Sequence, residues 1–327
     1  MAHHDITRRG LALLGAALAA PALAQGADWA PARGMRIVVP FPPGGSTDLL
    51  ARRLAEHLTT SLGQTVIVEN RPGAGGTVGA DMVAKSAPDG HTLLMGVTGS
   101  NAIAGSLFRN LPYDPVRSFA PVSRVVSAPL VLVVTASHPA RDMAGYIAAA
   151  KAAPGTIGYA TPGNGTSMHL TGVMFAQATG TQLQHVPYRG SAQAITDLIS
   201  GQVPSAFADV LVALPHIEAD KIRALAVSSS ARHPQLPDVP TMQEAGLAGF
   251  EATSWQGIFA PAGTPPAALA RLQGEIAKAM AAPDIRDTFA ERGFLVESTS
   301  PADFAGFVAR EVAKWGEVVR AGNVRID

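Results

Sequence analysis

From Met35 onward the chain alternates short apolar runs with stripes at helical spacing, and this alternation admits little besides a layered α/β fold. Residues 35–40 (MRIVVP) read as a buried strand, stopped by Phe41-Pro42-Pro43-Gly44-Gly45. Leu50, Leu54, Leu58 and Leu62 then fall on one helix face, Gly63 ends that helix, and 65–69 (TVIVE) forms the next strand. A glycine-rich turn over 71–76 leads to a helix over 77–86 and a third strand over 91–97 (HTLLMGV). Five elements in so short a stretch imply parallel strands joined by right-handed crossovers.

After Pro129 the run 130–135 (LVLVVT) opens a second series. Helices are expected over 142–152, 166–178 and 191–200, and strands over 157–161, 183–187, 203–208 and 222–228. Residues 231–240 read as a proline-rich connector and 253–260 as extended again. The tail reads as helices over 266–282, 284–292 and 301–320, with a strand over 294–297. It holds too few strands for a third domain and is expected to complete the first. The expected fold is therefore two α/β domains, 35–129 with 257–327 and 130–256, joined by two crossovers around a cleft. A length of 327 residues, 47% of them hydrophobic, allows two cores of ordinary size.

Ahead of this pattern, Arg8 and Arg9 precede an apolar run, 10–20, that ends in Pro21-Ala22-Leu23-Ala24. That is the order of a secretory signal, expected over 1–24 with cleavage after Ala24. A twin-arginine signal is matched only in part. The mature protein is expected to be exported and soluble.

The loop from Pro40 to Asp48 (PFPPGGSTD) lies where the carboxyl ends of parallel strands collect ligands. Gly44 and Gly45 permit positive φ and close backbone approach, and Ser46, Thr47 and Asp48 can cap the helix. Free N–H groups and the dipole at a helix start favour an anion, although a capped turn with no ligand fits the stretch equally well. Thr161 to Thr166 (TPGNGT) repeats the device in the second domain, before a helix that contains His169. Two such loops at matching positions point to one ligand held between them. His169 can donate to a ligand oxygen or serve in packing. In HVPYRGS, Arg189 can pair with a carboxylate and Tyr188 can wall the cleft. Asp209, at the end of the apolar strand AFAD, either caps the following segment or accepts from a ligand hydroxyl, an amine or a bound water.

Other chemistries are excluded by their missing parts. Residues 73–79 (GAGGTVG) break the dinucleotide spacing, there is no G-K-[ST], and Gly44–Asp48 ends in Asp where a nucleophile elbow needs Gly. The chain has no Cys, and no histidine pair stands at zinc-protease spacing with a Glu. Lys+Arg and Asp+Glu both number 25, which argues against a nucleic-acid partner. No cofactor, no metal and no catalytic residue are expected.

PFPPGGSTD, VENRPGAGG, KSAPDGHTLL (85–94), NLPYDP (110–115), YATPGNGTSMH, HVPYRG, AFAD and WQGIFAPAGT (255–264) follow one another along the whole mature chain. In combination they resemble the Bug family, the substrate-binding proteins of tripartite tricarboxylate transporters. The resemblance implies a monomeric periplasmic binding protein of two-domain fold, without enzymatic activity. It would close on a small carboxylate and deliver it to integral membrane transporter subunits. It also implies that main-chain amides and ordered waters of the two loops hold one ligand carboxylate. The positions are Phe41, Gly44, Gly45, Ser46 and Asp48 in the first loop, and Gly163, Asn164, Gly165, Thr166 and His169 in the second. Tyr188, Arg189 and Asp209 match motifs that approach the cleft, and Thr98 and Gly99 follow with a weaker match. Two other readings stay open: a sensor that presents its ligand to a signalling receptor, and a hydrolase using Ser46 or Ser167 with His169 and Asp209. Ser167 and His169 stand only two apart on a helix and do not face each other, which weakens the hydrolase.

Overall fold

The computed structural model describes residues 29–291 and 293–326, so the expected leader over 1–24 lies outside the described residues. The first series folds as β1 (Met35–Val39), α1 (Ser46–Leu62), β2 (Val66–Asn70), α2 (Thr77–Ala84) and β3 (Thr92–Val97). A buried π-helical turn, Gly99–Ile103, and the short α3 (Ala104–Leu107) follow. β1 pairs in parallel with both β2 and β3. The leucine stripe does what its spacing requires: Leu50, Leu54 and Leu58 are fully buried against the sheet, and Gly63 closes α1 in the left-handed region at φ 68°.

Next comes β4 (Phe119–Thr135), seventeen residues long, of which the sequence pattern discloses only 130–135. Pro121 and Pro129 conceal the first half, because proline inside a run argues against a strand. Opposite β9 (Thr253–Pro261) the register shifts at Pro121/Ser123 and again at Arg124/Val126, and Pro129 stands at the end of that ladder, paired with Thr253. The second half of β4 pairs instead with β7 (Ser205–Asp209) and β8 (Ile222–Val227). One strand thus belongs to two sheet regions and changes partners between Pro129 and Leu130.

The second series is α4 (Met143–Ala152), β5 (Gly158–Thr161), α5 (Ser167–Thr179), β6 (Gln184–Pro187), α6 (Ser191–Ile199), β7, α7 (Val210–Glu218) and β8. β5 pairs in parallel with β6 and β7. The helix α7 has no counterpart in the sequence reading. β9 lies wholly in the first sheet region, from Thr253 onward, four residues ahead of the division at 256/257 read from the sequence.

The tail comprises α8 (Pro266–Ala281), α9 (Pro283–Ala290), β10 (Leu295–Val296) and α10 (Pro301–Ala321). β10 pairs with the first half of β4, and α10 lies across β9. Trp255, Phe259, Phe304 and Trp315 are buried there, each contributing on the order of 1.5–3 kcal/mol. The two indole N–H groups both donate to Glu311 Oε2 at 2.9 Å, so neither polar edge is left unpaired. A Cβ on Gly257 would stand 2.2 Å from the Phe304 ring, so this approach of α10 to β9 requires glycine.

The strand order is β2-β1-β3-β9-β4 in one lobe and β4-β7-β5-β6 in the other. In each, the first strand of the series lies between the second and the third. The order therefore reverses beside β1 and beside β5, and a crevice opens at the carboxyl ends of these strands.

Candidate functional site

The loops that leave those strand ends meet at one cavity of about 290 Å³. Its wall contains the first residues of three helices: Ser46 and Thr47 of α1, Ser167 and Met168 of α5, and Ser191, Ala192 and Gln193 of α6. First-turn N–H groups have no intrahelical acceptor. α5 is capped in part, Thr166 Oγ1 accepting from His169 N at 3.3 Å, whereas α1 and α6 begin at Gly45 and Gly190 with no side-chain cap. Their free N–H groups, together with exposed Arg189, make the cavity receptive to an anion. Phe41, Pro42, Pro43, Val97 and Met168 supply apolar surface.

Of the residues singled out from the sequence, Phe41, Gly45, Ser46, Gly99, Thr166, Arg189 and Asp209 line this cavity. Gly163, Asn164 and Tyr188 line a neighbouring opening of about 480 Å³, which Phe41 and Arg189 also border. Of the others, Gly44 is exposed, and Asp48, Thr98, Gly165 and His169 are buried outside the lining. Asp48 is fully engaged: Oδ2 accepts from Gly44 N and Arg52 Nε at 3.0 Å each, and Oδ1 from Arg52 Nη2 and Asn70 Nδ2 at 2.9 Å each. Burial pushes this carboxyl up, but the Arg52, Gly44 and Asn70 hydrogen bonds outweigh it and hold it below the usual carboxylate range. Asn70 also donates to Phe41 O at 3.0 Å, so Asp48 and Asn70 clamp the loop from its outer side. Thr98 Oγ1 accepts from Trp255 N and ties the end of β3 to β9.

His169 is buried and is not among the residues that line the cavity. Its ring stacks on His185 at 3.9 Å between centroids, and its Nδ1 accepts from Gly165 N at 3.2 Å, which leaves the ring proton on Nε2. Burial lowers its pKa to about 4; burial and the nearby His169 lower that of His185 to about 3. Both rings are therefore neutral near pH 7. His169 thus packs on His185 and holds the loop backbone through Nδ1, and a donation to a ligand oxygen would come from Nε2–H.

The glycines divide in the same way. Gly44, at φ 91°, carries the left-handed conformation of the first loop. Gly45 has an ordinary extended backbone, φ −82°, and a Cβ there would meet nothing within 4 Å. Gly165 combines φ 76° with Leu107 3.0 Å from an added Cβ, so a neighbouring side chain is what crowds it. The two lobes also approach each other closely beside them. A Cβ on Gly75 would stand 2.1 Å from Asn164 O, and one on Gly99 would stand 2.8 Å from Gly165 O.

Asp209 ends β7 and heads α7, yet its side chain caps nothing. It reaches across the cleft, where Oδ2 accepts from Ser46 Oγ at 3.0 Å. Burial pushes this carboxyl up to about 6, against a smaller opposing effect of the Ser46 hydroxyl. Gln256, on β9, donates from Nε2 to Ser46 Oγ at 3.3 Å. The sequence reading missed Gln256, Ser254 and the first turn of α6, all of which line the cavity. The α6 turn could have been found from HVPYRGS, since it too opens a helix after a parallel strand. A glutamine inside an apolar strand carries no such signal. Ser46 has no histidine beside it to act as a base, because His169 is held by Gly165 and His185. Among the described residues no three His, Asp or Glu side chains gather in a possible metal site, and no helix is long and apolar enough to cross a membrane.

Comparison with known proteins gives consistent matches. The family model described as tripartite tricarboxylate transporter family receptor matches residues 50–324. Protein BugT of Bordetella pertussis is 39% identical over 318 residues, covering 97% of this chain and 97% of BugT. Among solved structures, the periplasmic binding protein BugD is 35% identical with a TM-score of 0.85, over 90% of this chain and 100% of that one. Rpa4515 of R. palustris, solved with adipate, is 34% identical with a TM-score of 0.87, over 90% and 99% of the two chains. MatC (Rpa3494) of Rhodopseudomonas palustris, with bound malate, is 34% identical with a TM-score of 0.85, over 88% and 99%.

Proposed function

Because the chain belongs to the tripartite tricarboxylate transporter receptor family, whose members are solute-binding proteins and not enzymes, we propose that it captures a small organic carboxylate in the periplasm and delivers it to the membrane subunits of such a transporter. The observation that carries this reading is the convergence of three helix N-termini, from both lobes, on one cavity. A hydrogen bond to an ionised group is worth about 1.5–3 kcal/mol, and micromolar affinity requires only about 8 kcal/mol net. A few oriented amides with Arg189 can therefore hold a carboxylate in a chain without net charge. The adipate and malate of the related structures belong to the same class of ligand.

In this reading Phe41, Gly45, Ser46, Gly99, Thr166, Arg189 and Asp209 contact the ligand. Gly44, Asp48, Thr98, Gly163, Asn164, Gly165, His169 and Tyr188 shape the loops and the mouth. The lobes pivot where the chain passes between sheet regions, at Pro129–Leu130 and in the connector ahead of Thr253. Calorimetric titration with mono-, di- and tricarboxylates, followed by mass spectrometry of the recovered ligand, tests the assignment. One class is expected to bind at a single site and to be recovered unchanged; a chemically altered ligand defeats the receptor reading. Reconstitution with the membrane subunits tests delivery, which is expected to fail without the receptor.

A further inference from the structure

The Ser46 end of the cavity has an unequal supply of donors and acceptors. Asp209 is 3% exposed and Gln256 is 2% exposed, and both line the cavity. Ser46 has one hydroxyl proton, which goes to Asp209 Oδ2, and its oxygen accepts from Gln256 Nε2. That donation fixes the Gln256 amide with its oxygen as the remaining group. Asp209 Oδ1 and Gln256 Oε1 are then left without any partner. Buried acceptors are nearly always paired, so two at one place mark where a donor is to arrive. The remainder of the wall has the opposite excess: the uncapped N–H groups of α1 and α6 and the Arg189 guanidinium are donors. An unsubstituted carboxylate satisfies those donors and has nothing to give to the two orphaned oxygens.

We propose that the ligand carries, besides its carboxylate, either a hydroxyl that donates to one of Asp209 Oδ1 and Gln256 Oε1 or an amino group that donates to both, so that the receptor selects hydroxy- or amino-carboxylic acids over their unsubstituted parents. This inference rests on the carboxylate-receptor reading. A hydrogen-bonding site discriminates strongly against an analogue that lacks the matching group, because its own polar atoms are then left unpaired. The apolar wall of Phe41, Pro42, Pro43 and Met168 suits a hydrocarbon body between the two polar ends.

The test is calorimetry on the mature chain at pH 7.5 with two matched series. One is succinate, malate and aspartate; the other is 3-phenylpropanoate, 3-phenyllactate and phenylalanine. Within the series that binds, the hydroxy or amino member is expected to bind at least tenfold more tightly than its parent. Asp209→Asn and Gln256→Met, each checked for an intact thermal transition, are expected to reduce that ratio to about threefold or less. Parent acids that bind as tightly as their substituted partners, with water or a proton taken up at Asp209 filling the place of the donor, overturn the inference and leave the receptor reading intact. Retention of the wild-type preference by both variants overturns the inference in the same way. No binding by any member of either series overturns the inference, whereas the receptor reading falls only when the wider panel of mono-, di- and tricarboxylates also fails to bind.

Discussion

Gly45 and Gly75 border the same cleft, but a side chain would do different things at each. Gly45 already has the extended backbone that a β-branched residue favours, and the space beside it is open. Gly45→Val is expected to leave the stability of the free protein within about 0.5 kcal/mol and to weaken ligand binding at least tenfold, because the new side chain occupies the approach to α1. Unchanged affinity in calorimetry would mean that the ligand does not reach that helix. Gly75→Val places its Cβ against Asn164 O across the cleft, at a φ of 64° that valine rarely adopts. It is expected to hold the lobes apart, lowering affinity through lost closure, whereas Gly44→Ala leaves the interlobe contact untouched. At this scale the sequence was partly legible. Asp209 stood out because a carboxylate after an apolar strand needs a reason. Gln256 did not, because its role depends on a serine 210 positions away.

The element that most shapes the second lobe's share of the site is the β5–α5 loop with the two histidines stacked beneath it. Both have pKa values depressed below the ordinary 6.5, to about 4 and about 3. The unfolded chain therefore takes up protons near pH 6.5 that the folded chain refuses. The stability that this contributes is complete above that pH and is lost as the pH falls toward 4, by about 1.4 kcal/mol per unit per histidine. Asp209 has the opposite sign: raised to about 6, it stabilises most at low pH, and its contribution disappears as the pH rises through 6. Two histidines against one carboxyl leave a net loss on acidification from 6 to 4, on the order of 1.4 kcal/mol per unit. Denaturant unfolding of the wild type at successive pH values is expected to show this decline, and His185→Phe to flatten it; an equally steep decline in the variant would remove the histidine pair as its cause. Apart from α7, the helices and strands of both series were legible because their periodicities are local. The first half of β4 was not, since Pro121 and Pro129 mask it and only its pairing with β9 makes it a strand.

For the whole molecule, Ser46–Asp209 at the cavity and Gly75–Asn164 at the neighbouring opening bring the two lobes together. Solution scattering is expected to show a larger radius of gyration without ligand than with it; identical profiles at saturating ligand would indicate a rigid cleft. Two α/β lobes could be anticipated from the repeated strand-to-helix loops, but the insertion of β9 between β3 and β4 could not, because no local pattern names a strand's neighbour. That insertion also sets an order of events. β3 and the first half of β4 bond to each other only through a strand made in the last third of the chain. The second lobe has all its strands, from the end of β4 to β8, in one unbroken stretch. Domains ordinarily settle in the order in which they are synthesised. Here the segment made first must wait for β9, so the lobe begun earliest is the last to be completed, and its unpaired strand edges stay open until nearly the whole chain has emerged.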